Sequence, residues 1–404
     1  MVPETMTRRF AVAQLGARMH YAVPRILEEH GMLERLYTDL CAAKGWPRAL
    51  ARLPRRLRPA AVARLAARDP GGVPRSRIHS LSAFGLAYAC RRAAIRTPSG
   101  YTAVHLWAGR AFCERIVRNG LRDAAGVYAF NSAALELLRH ARRHGLAAVL
   151  EQTLAPAEIE DRVLAAERDR FPGWEQAGDV RRPEFIERER AEWDAATTIL
   201  CGSEFVRRGI AECGGPAGRC AVVPYGVDPR TEPRVREPHS PLRVLTAGAL
   251  CLRKGSPYLL EAARLLGARA HFRAVGPIAV TPRAAQALAE HLELAGPAPR
   301  SAMAAHYGWA DVFLLPTLLE GSATVCYEAL AAGLPVITTP EAGSPVRDGI
   351  EGFLVPSRAP EAIAARLERL IALPELLPEL SRNAIARSLE FTVARYARRL
   401  IAAL

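Results

Sequence analysis

Residues 313–337, FLLPTLLEGSATVCYEALAAGLPVI, constrain the fold of this chain more than any other stretch. Phe313 to Leu315 predict a short buried strand closed by Pro316. Thr324 to Ala332 have the apolar spacing of a helix, which Gly333 and Pro335 stop before Val336 and Ile337 begin another strand. Strand, loop, helix and strand in that order build a parallel sheet. In such a unit the strand's carboxyl end and the helix's amino end face one crevice, so the backbone N–H groups of Gly321 and Ser322 are expected to face an anion there. Glu320 falls at the lip of that crevice. Glu328, about two helical turns into the helix, is expected to point toward whatever the helix start holds.

A second unit of the same kind lies upstream. LRVLTAG over 242–248 predicts a strand, and a turn carrying Arg253 and Lys254 leads into the helix SPYLLEAARLL, apolar at Leu259, Leu260, Ala263 and Leu266. Two cations at a strand-to-helix turn suit a diphosphate, whose charge they can neutralise as it leaves. Lys254 is one of only two lysines, with Lys44, among 55 basic residues, so a composition that strongly prefers arginine keeps lysine here.

The remaining chain reads as two domains. At 404 residues it exceeds one ordinary core, and 50% hydrophobic with 24% charged residues excludes disorder as the default. Phe10 to Leu15 predict the first strand, ending at Gly16, where the backbone can approach a ligand closely, and GARMHY (16–21) is a turn into a helix running to about His30, with His20 a candidate cleft residue. TAVHLW (102–107) and GVYAF (126–130) are read as strands, SAALELLRHARRH as a helix and AAVLEQ as a strand ending in Glu151 and Gln152. Opposite charges pair at helical spacing across 157–194, and Ser203 caps a helix after TTILCG. Five prolines from Pro224 to Pro241 mark a linker. The expected organisation is a first domain over 1–223 with a basic insert at 41–100, a linker over 224–241, a second domain over 242–385 and a closing helix over 386–404.

Charge is concentrated. Residues 41–100 carry thirteen basic side chains, among them Arg48, Arg55, Arg64 and Arg68, against Asp69 alone, an excess of +12 within a net charge of +14. Arginines alternating with Leu, Ala and Val around Pro54 and Pro59 suggest short basic amphipathic helices. Such a surface suits an anionic membrane, a lipid-linked acceptor or plain solvation. Few aromatics and no nucleic-acid motif argue against nucleic acid. No apolar run reaches the roughly 18 residues of a membrane span, and the start reads as a strand after polar residues, so the expected location is cytoplasmic, with peripheral contact at the inner face of the membrane through 41–100 as an option. Eight cysteines without Cys-x2-Cys spacing indicate neither zinc nor a disulfide framework, and His140 with His144 lack a third ligand.

The segment around Glu320, Gly321, Glu328, Ala329, Gly333, Pro335 and Val336 resembles the Glu-x7-Glu signature of the family 4 (group 1) retaining glycosyltransferases. Lys254–Gly255 is similar to that family's Lys-Gly turn. The resemblance implies a GT-B fold, two Rossmann-like parallel-sheet domains facing a cleft. It implies metal-independent transfer of a sugar, with retention, from a nucleotide-diphosphate-sugar to a hydroxyl acceptor, lipid-linked or polysaccharide, with no cofactor. By resemblance Lys254, Arg253 and the amides of Gly321 and Ser322 hold the diphosphate, Glu320 meets the sugar, and Glu328 meets the ribose. Gly276 and Pro277 lie near the nucleoside, and Gly16 near the donor phosphate or the acceptor. Two departures stand out. Ala249 occupies the place of the family's usual first arginine, for which Arg253 is the candidate substitute. Glu151 or Gln152 occupies the place of a histidine close to the donor sugar. A glycosidase pair would leave the Lys-Gly turn without purpose. The alternatives kept open are a nucleotide-sugar epimerase, a phosphorylase, and a non-catalytic nucleotide-sugar or anionic-surface binding protein.

Overall fold

The computed structural model describes residues 8–54, 56, 58–96, 98–175, 183–228 and 233–404; Arg55, the first seven residues and part of the proline-rich linker lie outside the described residues. Two parallel sheets form the frame. The first contains β1 (Phe10–Gln14), β2 (Leu33–Thr38), β3 (Ile78–Ser80), β4 (Gly126–Phe130), β5 (Ala147–Gln152), β6 (Thr198–Cys201) and β7 (Cys220–Val222), in the order β3-β2-β1-β4-β5-β6-β7. The second contains β8 (Leu242–Ala247), β9 (Ala270–Val275), β10 (Leu292–Gly296), β11 (Val312–Leu315), β12 (Val336–Thr338) and β13 (Gly352–Leu354), in the order β10-β9-β8-β11-β12-β13. Each begins with the doubly wound order in which a dinucleotide-binding sheet reverses direction once.

Both sheets are covered on both faces, which is why their strands read as nearly continuous apolar runs. Val312 to Leu315 and Phe10 to Ala13 are buried throughout. The helix Thr324–Ala331 buries Cys326, Tyr327, Ala329 and Leu330 and leaves Glu328 half-buried, so the carboxylate faces outward from a packed helix.

One expected element differs. TAVHLW is not a strand but part of a 22-residue helix, Pro98–Asn119, in which Ala108, Phe112 and Ile116 are buried four residues apart; the helical period over the whole segment outweighs a short β-prone run. The turn read over Gly16–Tyr21 leads, as expected, into a helix, Ala22–Glu29. Before it, Met19, His20 and Tyr21 all have positive φ, of 44°, 50° and 61°. Three successive non-glycine residues in that region are costly, and such strain collects at ligand-binding loops.

The domains are joined by more than the linker. The helix Ala157–Arg170 and the segment after it lean on the second domain, where Val163, Phe171 and Trp174 pack against its core. Glu167, nearly fully buried, accepts a hydrogen bond from Tyr258 Oη at 2.7 Å and pairs with Arg358 at 2.5 Å. The charges of 157–170 therefore include a buried interdomain clasp as well as a solvated face. In return, the helix Val393–Ala402 inserts Tyr396, Ala397 and Leu400 into the first domain's core beside Tyr225. Among the described residues no helix is long and apolar enough to cross a membrane.

Candidate active site

Strand order reverses between β1 and β4 in one sheet and between β8 and β11 in the other. Ligands of such sheets bind outside the strands' carboxyl ends at these points. The loops that leave those four ends carry Gly16 and Arg18, Asn131, the turn from Gly248 to Gly255, and the segment from Pro316 to Ser322.

The second domain's two loops are locked together. Arg253 O accepts hydrogen bonds from Leu318 N at 2.9 Å and Thr317 Oγ1 at 3.1 Å, while Arg253 Nη1 donates to Leu319 O at 2.9 Å. Gly255 sits at φ 72° with its missing Cβ 1.9 Å from Pro316 O, so only glycine lets the turn close against the loop. The result is a charge cluster. Glu320 Oε1 lies 2.5 Å from Lys254 Nζ and 2.5 Å from Arg253 Nη1. Glu320 is 8% exposed, so two cations and one carboxylate share a largely dehydrated spot with one positive charge in excess. The lysine and both of its partners come from the two segments singled out in the sequence.

Gly321 and Ser322 stand where the domains touch. A Cβ on Gly321 would lie 1.9 Å from Thr153 O of the first domain, and Ser203 Oγ, the cap of the helix Glu204–Glu212, donates to Gly321 O at 2.5 Å. The hydroxyl of Ser322 is occupied by Tyr327 Oη at 2.8 Å and Gly343 O at 3.3 Å. Only its backbone is therefore left for an anion.

Glu328 opens into a cavity of about 940 Å³ between the domains, walled by His20, Met19 and Arg25 on one side and by Ala298, Arg300 and Thr324 on the other. Tyr307 Oη donates to Glu328 Oε2 at 2.9 Å and fixes the carboxylate. Lys254 and Glu320 are not among the described residues lining this cavity; the loop and helix from Glu320 to Glu328 connect the two places along the chain. Gly276 and Pro277 behave as braces. Gly276, at φ 153°, leaves its Cβ position 1.9 Å from Gly248 O, its N–H donates to Gly296 O at 2.9 Å, and Pro277 O accepts from Leu250 N at 2.8 Å. Pro277 O thus steadies the Gly248 turn, and both residues follow the carboxyl end of β9, next to that turn.

In the first domain Gly16, at φ 85°, donates its N–H to Asp39 Oδ1 at 3.0 Å, and the same oxygen accepts from Arg68. Glu151 and Gln152 are corrected outright. Glu151 is 3% exposed and receives Tyr128 Oη at 2.5 Å and Tyr225 Oη at 2.9 Å. Gln152 is fully buried, donating to Glu189 at 2.8 Å and accepting from Trp193 Nε1 at 3.0 Å. Neither is a cleft residue. The polar group that reaches the crevice is the next one, Thr153, whose hydroxyl accepts from Arg18 Nη1 at 2.8 Å and donates to Asn131 Oδ1 at 2.8 Å. Arg18, Asn131, Thr153 and Tyr307 carried no motif; only their places after strand ends β1, β4 and β5, and before β11, mark them.

Burial pushes the Glu151 carboxyl above the usual range, partly offset by its two tyrosine hydrogen bonds. The stabilisation from its neutral form is complete below the unfolded value of about 4.3 and is lost as pH rises through the folded one. Glu151→Gln is therefore expected to gain thermal stability relative to the parent as pH rises from 4 to 8. Parallel melting-temperature curves for the two proteins would contradict this assignment.

The chain superposes on the Anabaena protein Alr3699/HepE, solved in complex with UDP and glucose, with a TM-score of 0.62 over 97% of this chain and 98% of that one, at 13% identity. The fold is GT-B. Within it, residues 241–372, essentially the second domain, match the family model for group 1 glycosyl transferases. The GT-B chain is 27% identical over 214 residues to the amylovoran biosynthesis glycosyltransferase AmsK of Erwinia amylovora, covering 48% of this chain and 53% of that protein. It is 31% identical over 209 residues to the D-inositol 3-phosphate glycosyltransferase of Streptomyces griseus, covering 47% and 42%. It thus spans about half the length of the curated relatives it matches.

Proposed function

We propose that the protein transfers a sugar from a nucleoside diphosphate to a hydroxyl acceptor, with retention of configuration at the anomeric carbon and without a metal ion. The observation that carries this reading is the Lys254–Glu320–Arg253 cluster, an excess positive charge at the mouth of two parallel strands facing the other domain. Supporting it are the match of the second domain to group 1 glycosyl transferases and the UDP bound by the Anabaena protein of the same fold.

In this reading the pyrophosphate lies against Lys254 and Arg253, with the Gly321 and Ser322 amides as further donors. Glu320 positions both cations and meets the sugar; Glu328, held by Tyr307, meets the ribose. Arg253 stands in for the charge missing at Ala249. The anomeric carbon exchanges its bond to the phosphate oxygen for one to the acceptor oxygen, and the acceptor's proton leaves with the nucleoside diphosphate. Charge that builds on the leaving oxygen meets cations already fixed by the Arg253 and Thr317 hydrogen bonds, so little reorganisation is needed. Closure at Gly321, Thr153 and Ser203 keeps water from the donor. The acceptor is a lipid-linked or polysaccharide hydroxyl, in keeping with the amylovoran biosynthesis name of one relative.

A panel of UDP-, GDP- and ADP-sugars tests this directly. One donor should raise the melting temperature, since a ligand selective for the folded state stabilises it, and should release nucleoside diphosphate only when an acceptor is present. Release without an acceptor, or inversion at the anomeric carbon, would remove the reading.

A further inference from the structure

The basic insert does not fold as a plain solvated face. Its helices Gly45–Ala51, Ala60–Ala66 and Ser82–Ala93, with the start of the helix Pro98–Asn119, enclose a groove of about 680 Å³. Its walls include Trp46, Leu50, Val62, Leu65 and Ile95, and its described lining holds three arginines, Arg64, Arg68 and Arg92, but no carboxylate. Trp46 is 43% exposed and Tyr101 at the groove's edge 46%, large side chains that a packed or purely solvated face would not leave uncovered. The size lies within the range of small-molecule sites. Neither Arg64 nor Arg92 has an ion-pair partner among the described residues, whereas Arg68 pairs with Asp39, whose carboxylate also holds the Gly16 N–H. Arg68 Nη2 lies 4.0 Å from the Cβ position of Gly16. One arginine thus belongs both to the groove and to the β1 loop of the active-site crevice.

We infer that this groove binds the hydrocarbon chain of a phosphate-linked lipid, with the phosphate against Arg64 and Arg92 and the hydroxyl-bearing head beyond it directed to the Gly16 loop. The apolar walls take the chain, and the uncompensated guanidinium groups take the anion. Resting on the transfer reading above, this names the acceptor as a hydroxyl carried on a phosphate-linked lipid rather than on a soluble glycan.

The test uses the full chain and hexyl, octyl and decyl phosphate below their micelle concentrations, followed by isothermal titration. One site is expected, tightening by about fourfold per added methylene, the gain that hydrocarbon burial gives. Val62→Asp, which puts a carboxylate among the walls, and the double variant Arg64→Glu with Arg92→Glu should each weaken decyl phosphate at least tenfold. Decyl phosphate should also change Trp46 fluorescence, a response lost in Trp46→Phe while calorimetric binding persists, which keeps the test sound if a charged variant fails to fold. Inorganic phosphate binding as tightly as decyl phosphate, decanol binding equally well, or binding only to anionic phosphatidylglycerol vesicles would each overturn the inference. The nucleotide-sugar melting panel separates the two readings. Decyl phosphate binding without any nucleotide-sugar shift leaves the groove and removes transfer, and the reverse removes the groove alone.

Discussion

Lys254→Ala is expected to lower transfer by a factor of about 10² to 10³, the usual cost of deleting a fixed donor to a developing negative charge, and to abolish the thermal shift from the donor that stabilises the parent. The cluster geometry explains why the loss should be so large. Lys254 and Arg253 share one carboxylate oxygen of Glu320, so removing the lysine leaves a neutral Arg253–Glu320 pair in place of a cluster with one positive charge to spare. A pyrophosphate then meets no net attraction at the strand mouth. Lys254→Arg should recover little, because a planar guanidinium cannot replace a compact ammonium wedged beside the Gly248 turn, where the lysine Cε lies 3.6 Å from that glycine's Cβ position. Initial rates at saturating and limiting donor, with melting curves for each variant, measure the effect. A Lys254→Ala protein that keeps the full donor shift would place the phosphate elsewhere.

The second domain's half of the site was readable from sequence because it is built from two contiguous strand–turn–helix segments. Pro316, Gly333 and Pro335 punctuate one and Gly255 the other, and the residues that meet, Arg253, Lys254 and Glu320, lie within one residue of those turns or loops. The first domain's half was readable in the Gly16–His20 loop, whose His20 walls the cavity, but not at the end of β5. Glu151 and Gln152 end β5, a strand buried on both faces, so their alternating side chains run into opposite cores: one into Tyr128, Tyr225 and the crossing-back helix, the other into Trp193 and Glu189. Those partners come from segments up to some two hundred and fifty residues away, and nothing local to AAVLEQ announces them. A side chain can face the crevice only after the strand stops, which is why Thr153 does so and its two predecessors do not. The 102–107 segment failed for a different reason. Six residues rich in Thr, Val, His and Trp are compatible with either period, and only the spacing of Ala108, Phe112 and Ile116 beyond them decides for helix.

Gly321→Ala should separate the domains without unfolding either. The glycine's backbone is not in the left-handed region, so alanine carries no local strain, and the whole cost falls on its contact. That contact is unforgiving: the new methyl would stand 1.9 Å from Thr153 O and 2.7 Å from Thr153 C, both backbone atoms of the opposite domain, with no flexible side chain to yield. Either the domains part or the Glu320 loop shifts, and either movement strains the interdomain hydrogen bond from Ser203 to Gly321 O. Opening by even about 1 Å misaligns groups contributed by both domains, for which a loss near 10²-fold is typical. A donor that the proposed reading places against Lys254 and Arg253 on the second domain should still bind and still raise the melting temperature. The combination is diagnostic: a larger radius of gyration in solution scattering, donor stabilisation retained, turnover down about a hundredfold. Gly218→Ala, whose Cβ position meets nothing within 4 Å, serves as the neutral control. If Gly321→Ala turned over at the parent rate with an unchanged radius of gyration, the Thr153–Gly321 contact could not be the seam on which closure depends, and the catalytic geometry would have to be assembled by the other interdomain contacts, the Glu167–Tyr258–Arg358 clasp among them.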